Sequence, residues 1–174
     1  MSDAYRPQPG DIGITRISGA GGKVIRFAQW LNGDSFKDYE HAFVVVKPRG
    51  LYVAEQIVEA MPGGAVEVQN WHAPAETVYL RCPRQYREAV AQNARYLVGT
   101  PYSYLDYASI ATHRLHIRVP LLKRYVASSR HMICSQLADY AAWAAGWEIF
   151  QDKRWPGDVT PGDLYEKYED QPGW

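Results

Sequence analysis

The sequence predicts a single α+β domain, because strand-like segments gather in its first half and helical segments follow them. Short runs of β-branched and aromatic residues, separated by turns rich in glycine and proline, fall between residues 11 and 82. The clearest helical patterns come later, at residues 84–98 and 134–145. The 174 residues suit one domain with a substantial core, and no linker or internal repeat divides them. Grouped strands followed by helices are typical of the α+β class.

Each element follows from its local pattern. After a polar arm at residues 1–8, runs of β-forming residues predict strands at 11–17, 41–47, 51–58, 65–70 and 77–82. Apolar residues at helical spacing predict helices at 21–31, 84–98, 104–116, 134–145 and 161–168. Prolines and glycines at 48–50 and 61–64 mark turns, and Gly99 ends the helix before it.

Composition excludes several classes of protein. Nineteen basic and nineteen acidic residues balance, so no electrostatic footprint for nucleic acid is present. Apolar residues make up 47% of the chain, which argues against disorder. No apolar run reaches membrane-spanning length, and polar residues 1–8 do not form a signal peptide. We therefore expect synthesis in a cytoplasm and no membrane span. The protein would leave the cell as part of a virion or through a non-Sec export route.

Cys134 is the strongest candidate for a reactive group. It begins an alanine-rich helical run that stops at Gly146. A cysteine in the first turn of a helix lies near the positive end of the helix dipole, which favours the thiolate. The N–H groups of that turn can also stabilise an oxyanion. The alternative is a small buried hydrophobic residue, the commoner role of a free cysteine.

A thiolate nucleophile needs a base, and five histidines are available. His41 opens a core strand, where it is held rigidly and can still face a cleft; a histidine that only caps the strand is the alternative. His72 is interpreted as a loop residue, and His113 and His116 as part of a solvated basic helix face. His131 precedes the cysteine segment, as a supporting group or a loop residue.

The two cysteines allow one disulfide, Cys82 with Cys134, which would exclude thiol catalysis. Cys82 follows a strand pattern and is interpreted as a buried structural thiol. No Cys/His cluster has zinc-ligand spacing, so the sequence predicts neither a metal nor a cofactor.

Five short segments occur in a distinctive order. They are residues 9–14 (PGDIGI), 40–46 (EHAFVVV), 58–60 (VEA), 133–137 (ICSQL) and 160–164 (TPGDL). Together they resemble the circularly permuted branch of the NlpC-type papain-like cysteine peptidases, close to YiiX-like proteins, in which the histidine precedes the cysteine. The resemblance implies one papain-like domain over residues 1–174, an antiparallel sheet or small barrel flanked by helices.

The resemblance also implies a set of site residues. Cys134 would be the nucleophile, His41 the base and Glu59 the group that orients the imidazole, with Glu55 as a competitor for that last role. Residues 99–104 (GTPYSY) are similar to the segment whose tyrosine helps to form the oxyanion site in non-permuted relatives. Tyr102 would be that donor, with an ordinary loop aromatic as the alternative.

The implied activity is hydrolysis of an amide bond in a peptidoglycan stem peptide, with a phage or secretion-system assembly as partner. Residues 105–130 would form an insertion that covers the cleft. Glu40, Ala42 and Gln136 differ from the residues usual in the family, which leaves the substrate class open. Two alternatives remain: an acyltransferase or lipid hydrolase of the lecithin:retinol acyltransferase type, and a non-enzymatic virion or binding protein on the same scaffold.

Overall fold

The computed structural model describes residues 5–16, 39–51, 53–102, 132–152, 154 and 159–171. Three predicted features lie wholly outside these residues: the helices at 21–31 and 104–116 and the insertion at 105–130. So do residues 1–4 of the arm and three of the histidines, His113, His116 and His131.

Within the described residues the fold is α+β, with a five-stranded antiparallel sheet and three α-helices. The strands are β1 (Ile12–Thr15), β2 (His41–Lys47), β3 (Gln56–Met61), β4 (Gly64–Gln69) and β5 (Thr77–Leu80). The helices are α1 (Arg87–Tyr96), α2 (Cys134–Ala144) and α3 (Pro161–Glu169), and a 3₁₀ turn at Pro74–Glu76 precedes β5. The sheet order is β4-β3-β2-β1-β5. Among these helices, none combines the length and the apolar character needed to cross a bilayer.

The sheet buries both faces of its central strand, because successive side chains along a strand point to opposite sides. Even-numbered residues of β2 pack against α1 and α2 in the main core. On the other face, Phe43 and Val45 pack with Ile57 in a smaller cluster. The unbroken apolar run of β2 therefore reflects burial on both sides.

The connection from β4 to β5, here called the crossing segment (residues 70–76), covers this second face. The two strands lie at opposite edges of the sheet, and the register places the end of β4 and the start of β5 at opposite ends. The connection must therefore run diagonally across the sheet. His72 stacks on Phe43 at 4.9 Å between ring centroids, nearly parallel. Gly13 lies beneath that ring, and any side chain there would overlap Phe43.

The boundaries of several elements differ from those predicted. The strand predicted at 51–58 begins at Gln56 and ends at Met61, because a bulge near the end of β2 shifts the pairing and the described residues 48–51 and 53–55 lie outside the sheet. The helix predicted at 84–98 is five residues shorter and covers Arg87–Tyr96, with turns at 84–86 and 97–99. The strand predicted at 77–82 ends at Leu80, since the N–H of Cys82 bonds Asp11 (2.9 Å) instead of extending the ladder.

Candidate active site

Cys134 is the first residue of α2, as the sequence predicts. The Gln136 side chain accepts a hydrogen bond from the N–H of Ile133 at 3.1 Å, which anchors the chain entering the helix. The hydroxyl of Ser135 donates to the carbonyl of Val159 at 2.7 Å and ties the helix start to the segment before α3. The thiol is therefore held at a fixed helix N-terminus, where the helix dipole favours negative charge.

His41 and Glu59 meet across two neighbouring strands. Phe43 pairs with Glu59 between β2 and β3, so the side chain of His41, two residues earlier, lies diagonally opposite on the same face. The Nε2 atom of His41 lies 2.7 Å from Oε2 of Glu59, and both side chains are buried. The sheet register therefore brings two of the predicted site residues into direct contact.

The thiol of Cys134 acts on the imidazole of His41. Burial alone would lower the pKa of His41, but the charge of Cys134 and its hydrogen bond to the ring, with similar contributions from Glu59, raise that pKa to about 9. The imidazole thus lies between a thiol and a carboxylate, with α2 packed on β2 and β3.

Glu59 holds two further partners that the sequence did not reveal. The indole N–H of Trp71 donates to Oε1 at 2.8 Å, and Nε2 of His72 lies 2.9 Å from Oε2. Burial would raise the pKa of Glu59, but the hydrogen bonds from His41, His72 and Trp71 hold it well below its usual range. Glu59 is therefore an ionised carboxylate that accepts three hydrogen bonds.

His72 lies in a loop, as predicted, and it is buried. Its ring stacks on Phe43, and its backbone N–H donates to Oδ1 of Asn70 at 3.0 Å. The only signal in the sequence is the adjacent aromatic pair of Trp71 and His72. Recognising its role requires the sheet order, which sends the crossing segment over β3.

Glu55, the competitor for the role of orienting the imidazole, forms its hydrogen bonds with residues other than His41. Its Oε1 accepts hydrogen bonds from Asn70 (2.5 Å) and Tyr79 (3.4 Å). Burial raises the pKa of Glu55, partly offset by these bonds. The carboxylate in contact with His41 is that of Glu59.

Tyr102 lies beside the segment that leads into α2. It forms a parallel bridge with Met132, whose N–H donates to the carbonyl of Pro101 at 3.0 Å. The tyrosine is half-buried and packs against the main core. The backbone of Tyr102 is therefore paired with a residue only two positions before Cys134. A role for the Tyr102 hydroxyl in oxyanion binding stays a prediction.

Both cysteines are free thiols, so no bond between them blocks Cys134. The thiol of Cys82 is buried, and burial together with the charge of Asp11 raises its pKa to about 12. Cys82 thus has the inert character expected of a structural thiol.

Asp139, one helical turn after the site, is a buried acid on α2. Burial is the main cause that raises its pKa to about 7; the charge of Arg154 opposes this, while those of Asp163 and Asp152 add to it. The guanidinium of Arg154 is bonded to both of those aspartates, at 2.9 Å and 2.6 Å. Its positive charge is thereby shared among three carboxyl groups.

We expect Asp139→Asn to stabilise the protein at pH 8 but not at pH 4. Below the unfolded pKa of about 4 the acid is protonated in both states. As the pH rises to 7 the unfolded chain ionises first, so wild-type stability falls by about 2–4 kcal/mol, and the amide avoids this loss. Melting temperatures at both pH values test this, with the exposed Asp170→Asn as control; an equal gain at pH 4 would contradict it.

Two of the segments that carry the family resemblance have structural explanations. Asp11 accepts hydrogen bonds from the N–H of Gln8 and of Cys82, which fixes the turn before β1. Thr160 and Asp163 cap α3 reciprocally, the Thr160 N–H donating at 2.8 Å and the Asp163 N–H at 3.1 Å. No protein-family model matches the chain and no curated protein matches it either, so the permuted papain-like identity remains a prediction that these short segments carry.

Proposed function

We propose that this protein is a thiol hydrolase on a permuted papain-like scaffold, with Cys134 as nucleophile, His41 as base and Glu59 as the orienting group. One observation carries the proposal: a buried imidazole is coupled to a thiol at a helix N-terminus and, through Nε2, to an ionised carboxylate. A nucleophile in contact with a base, which is itself held by an orienting group, is the arrangement that activates a thiol.

The steps follow from these positions. The Cys134 sulfur attacks the amide carbonyl carbon, a C–S bond forms, and the N–H groups of the first turn of α2, with the Tyr102 hydroxyl, stabilise the oxyanion. Protonated His41 gives its proton to the leaving nitrogen as the C–N bond breaks. Water then attacks the thioester, His41 takes a proton from it, and the C–S bond breaks to release the acid.

Glu59 keeps the imidazole in one orientation and stabilises its protonated form. The substrate we propose is an amide bond in a peptidoglycan stem peptide, which rests on the family resemblance. Cys134 is 1% exposed, so a substrate must displace neighbouring side chains to reach the sulfur.

The experiment incubates the protein, with a chelator present, with purified peptidoglycan and with defined muropeptides, and detects new amines by mass spectrometry. We expect Cys134→Ser to lower the rate by at least about 1,000-fold, while Cys82→Ser, the matched control, keeps it. Equal hydrolysis by wild type and Cys134→Ser would contradict the proposal. Release of fatty acid from phospholipid vesicles would favour the acyltransferase or lipid-hydrolase alternative, and inactivity on all of these would favour a binding protein.

A further inference from the structure

Three metal-ligating atoms converge beneath the crossing segment. Nε2 of His41, Nε2 of His72 and Oε2 of Glu59 all lie within 4.8 Å of one another. The two histidines are 2.7 Å and 2.9 Å from the same carboxylate oxygen. All three side chains are at most 3% exposed. A thiolate–imidazole pair needs one histidine on its carboxylate, so His72 is a donor that thiol chemistry leaves unexplained.

We propose that this cluster binds one Zn²⁺ ion through His41, Glu59 and His72. Two imidazole nitrogens and one carboxylate oxygen form a ligand set that Zn²⁺ uses where a fourth position is open to water. The proposal goes beyond thiol hydrolysis and does not depend on it.

The spacing of the donors needs only a small adjustment. Zn²⁺ bonds of about 2.0–2.2 Å in a tetrahedral arrangement place the ligand atoms roughly 3.3 Å apart. The present separations from Glu59 are those of hydrogen bonds, so each histidine must withdraw by roughly half an ångström. His72 lies on a loop that can supply its share of this movement. His41 and Glu59 lie on paired strands, so rotation of their side chains must supply the rest.

The surroundings of the cluster are those of a supported metal site. Trp71 bonds the other oxygen of Glu59 at 2.8 Å, and Phe43 fixes the plane of the His72 ring. Outer partners of this kind orient metal ligands and raise affinity. Trp71 itself is 59% exposed, so the crossing segment is also the part of the site nearest to solvent.

The proton balance is consistent with a dication. An ionised carboxylate only accepts hydrogen bonds, so both Nε2 atoms carry a hydrogen when no metal is bound. Zn²⁺ replaces these two hydrogens and leaves the carboxylate charge as a partial counter-charge. Bound Zn²⁺ should also slow reactions of Cys134, because the ion would occupy Nε2 of His41 and the Glu59 oxygen that orients this ring. This consequence alone rests on the proposed hydrolase.

The test measures Zn²⁺ binding by competition with a chromophoric chelator, using the full chain. We expect one site per chain, with affinity lowered at least about 100-fold in His72→Ala and about 10-fold or more in Trp71→Phe, which removes the indole N–H and keeps a smaller aromatic ring. His72→Gln keeps a hydrogen-bond donor for Glu59 but should bind as weakly as His72→Ala. Glu55→Gln, a nearby buried carboxylate outside the cluster, should bind as wild type.

Absence of one-to-one binding, or equal affinity in wild type, His72→Ala and His72→Gln, would overturn the proposal. Co²⁺ reports the ligands directly, and its visible spectrum should indicate a four-coordinate ion and stay unchanged in Cys134→Ser. A spectrum that changes in this variant would place sulfur on the metal and overturn the assigned ligand set. Loss of amide hydrolysis would not affect these binding readouts, so the two proposals can fail separately.

Discussion

At neutral pH, iodoacetamide should modify Cys134 at least about 1,000-fold faster than Cys82, because only Cys134 has a base and a helix N-terminus beside it. The two thiols are equally buried, at 1% exposure each. A difference in simple accessibility therefore does not explain a difference in rate. Electrostatics does, since the thiolate is the reactive species.

The environments of the two thiols are opposite in charge. Cys82 lies near Asp11, and burial with that negative charge raises its pKa to about 12. Only about one Cys82 in 100,000 is then a thiolate at pH 7. Cys134 is hydrogen-bonded to His41, whose raised pKa favours a protonated imidazole as counter-ion.

The rates are measured by peptide mass spectrometry at a single pH, with a chelator present. His41→Ala should slow Cys134 and leave Cys82 unchanged, and His41→Gln, which fills the same space better, checks that the loss is not one of folding. Equal rates for the two thiols would contradict the thiolate–imidazole pair. So would a Cys134 rate that is the same in wild type and in both His41 variants.

The sequence was sufficient for the α+β class, and it named His41 and Glu59, which meet at the site, but not His72 or Trp71. Strand alternation and the alanine-rich helix are local properties, and β2 and the start of α2 lie where they were predicted. The limits of β3 were predicted wrongly. Leu51 and Val53 imitate a strand pattern but are 88% and 43% exposed, in the loop that follows the bulge.

The choice between Glu55 and Glu59 could not be made from the alternation of side chains along a strand. Residues four apart in an extended segment point to the same side, so both carboxylates satisfy the same pattern. Only the register of β2 on β3 decides, by pairing Phe43 with Glu59. A bulge near Lys47 shifts that register, and nothing in the local sequence determines its position.

His72 illustrates a second limit. Its place over the sheet follows from β4 and β5 being at opposite edges, which is a property of the whole topology. A sequence reading treats residues 70–76 as an ordinary connection. The same topology gives Glu59 its second histidine and makes this carboxylate the most heavily bonded acid in the described site.

Glu59→Gln should destabilise the protein by about 3 kcal/mol at pH 7, whereas Glu55→Gln should change stability by less than about 1 kcal/mol. An amide presents one oxygen and one NH₂ group, so it cannot accept from His41, His72 and Trp71 together. Buried donors then lack acceptors, which costs more than the loss of an average hydrogen bond. Glu55 is already disfavoured as an anion, and a glutamine oxygen there can still accept from Asn70.

The pH dependence separates charge from packing in the Glu59→Gln comparison. The folded pKa of Glu59 lies below the unfolded value of about 4.3. Its contribution is therefore present above pH 4.3 and is lost as the pH falls towards the folded value. Urea unfolding at pH 7 and at pH 3.5 should show the gap between wild type and Glu59→Gln narrowing in acid. A gap that stays constant would assign the loss to packing, and equal effects of the two glutamine variants would mean that the histidines do not depend on the charge of Glu59.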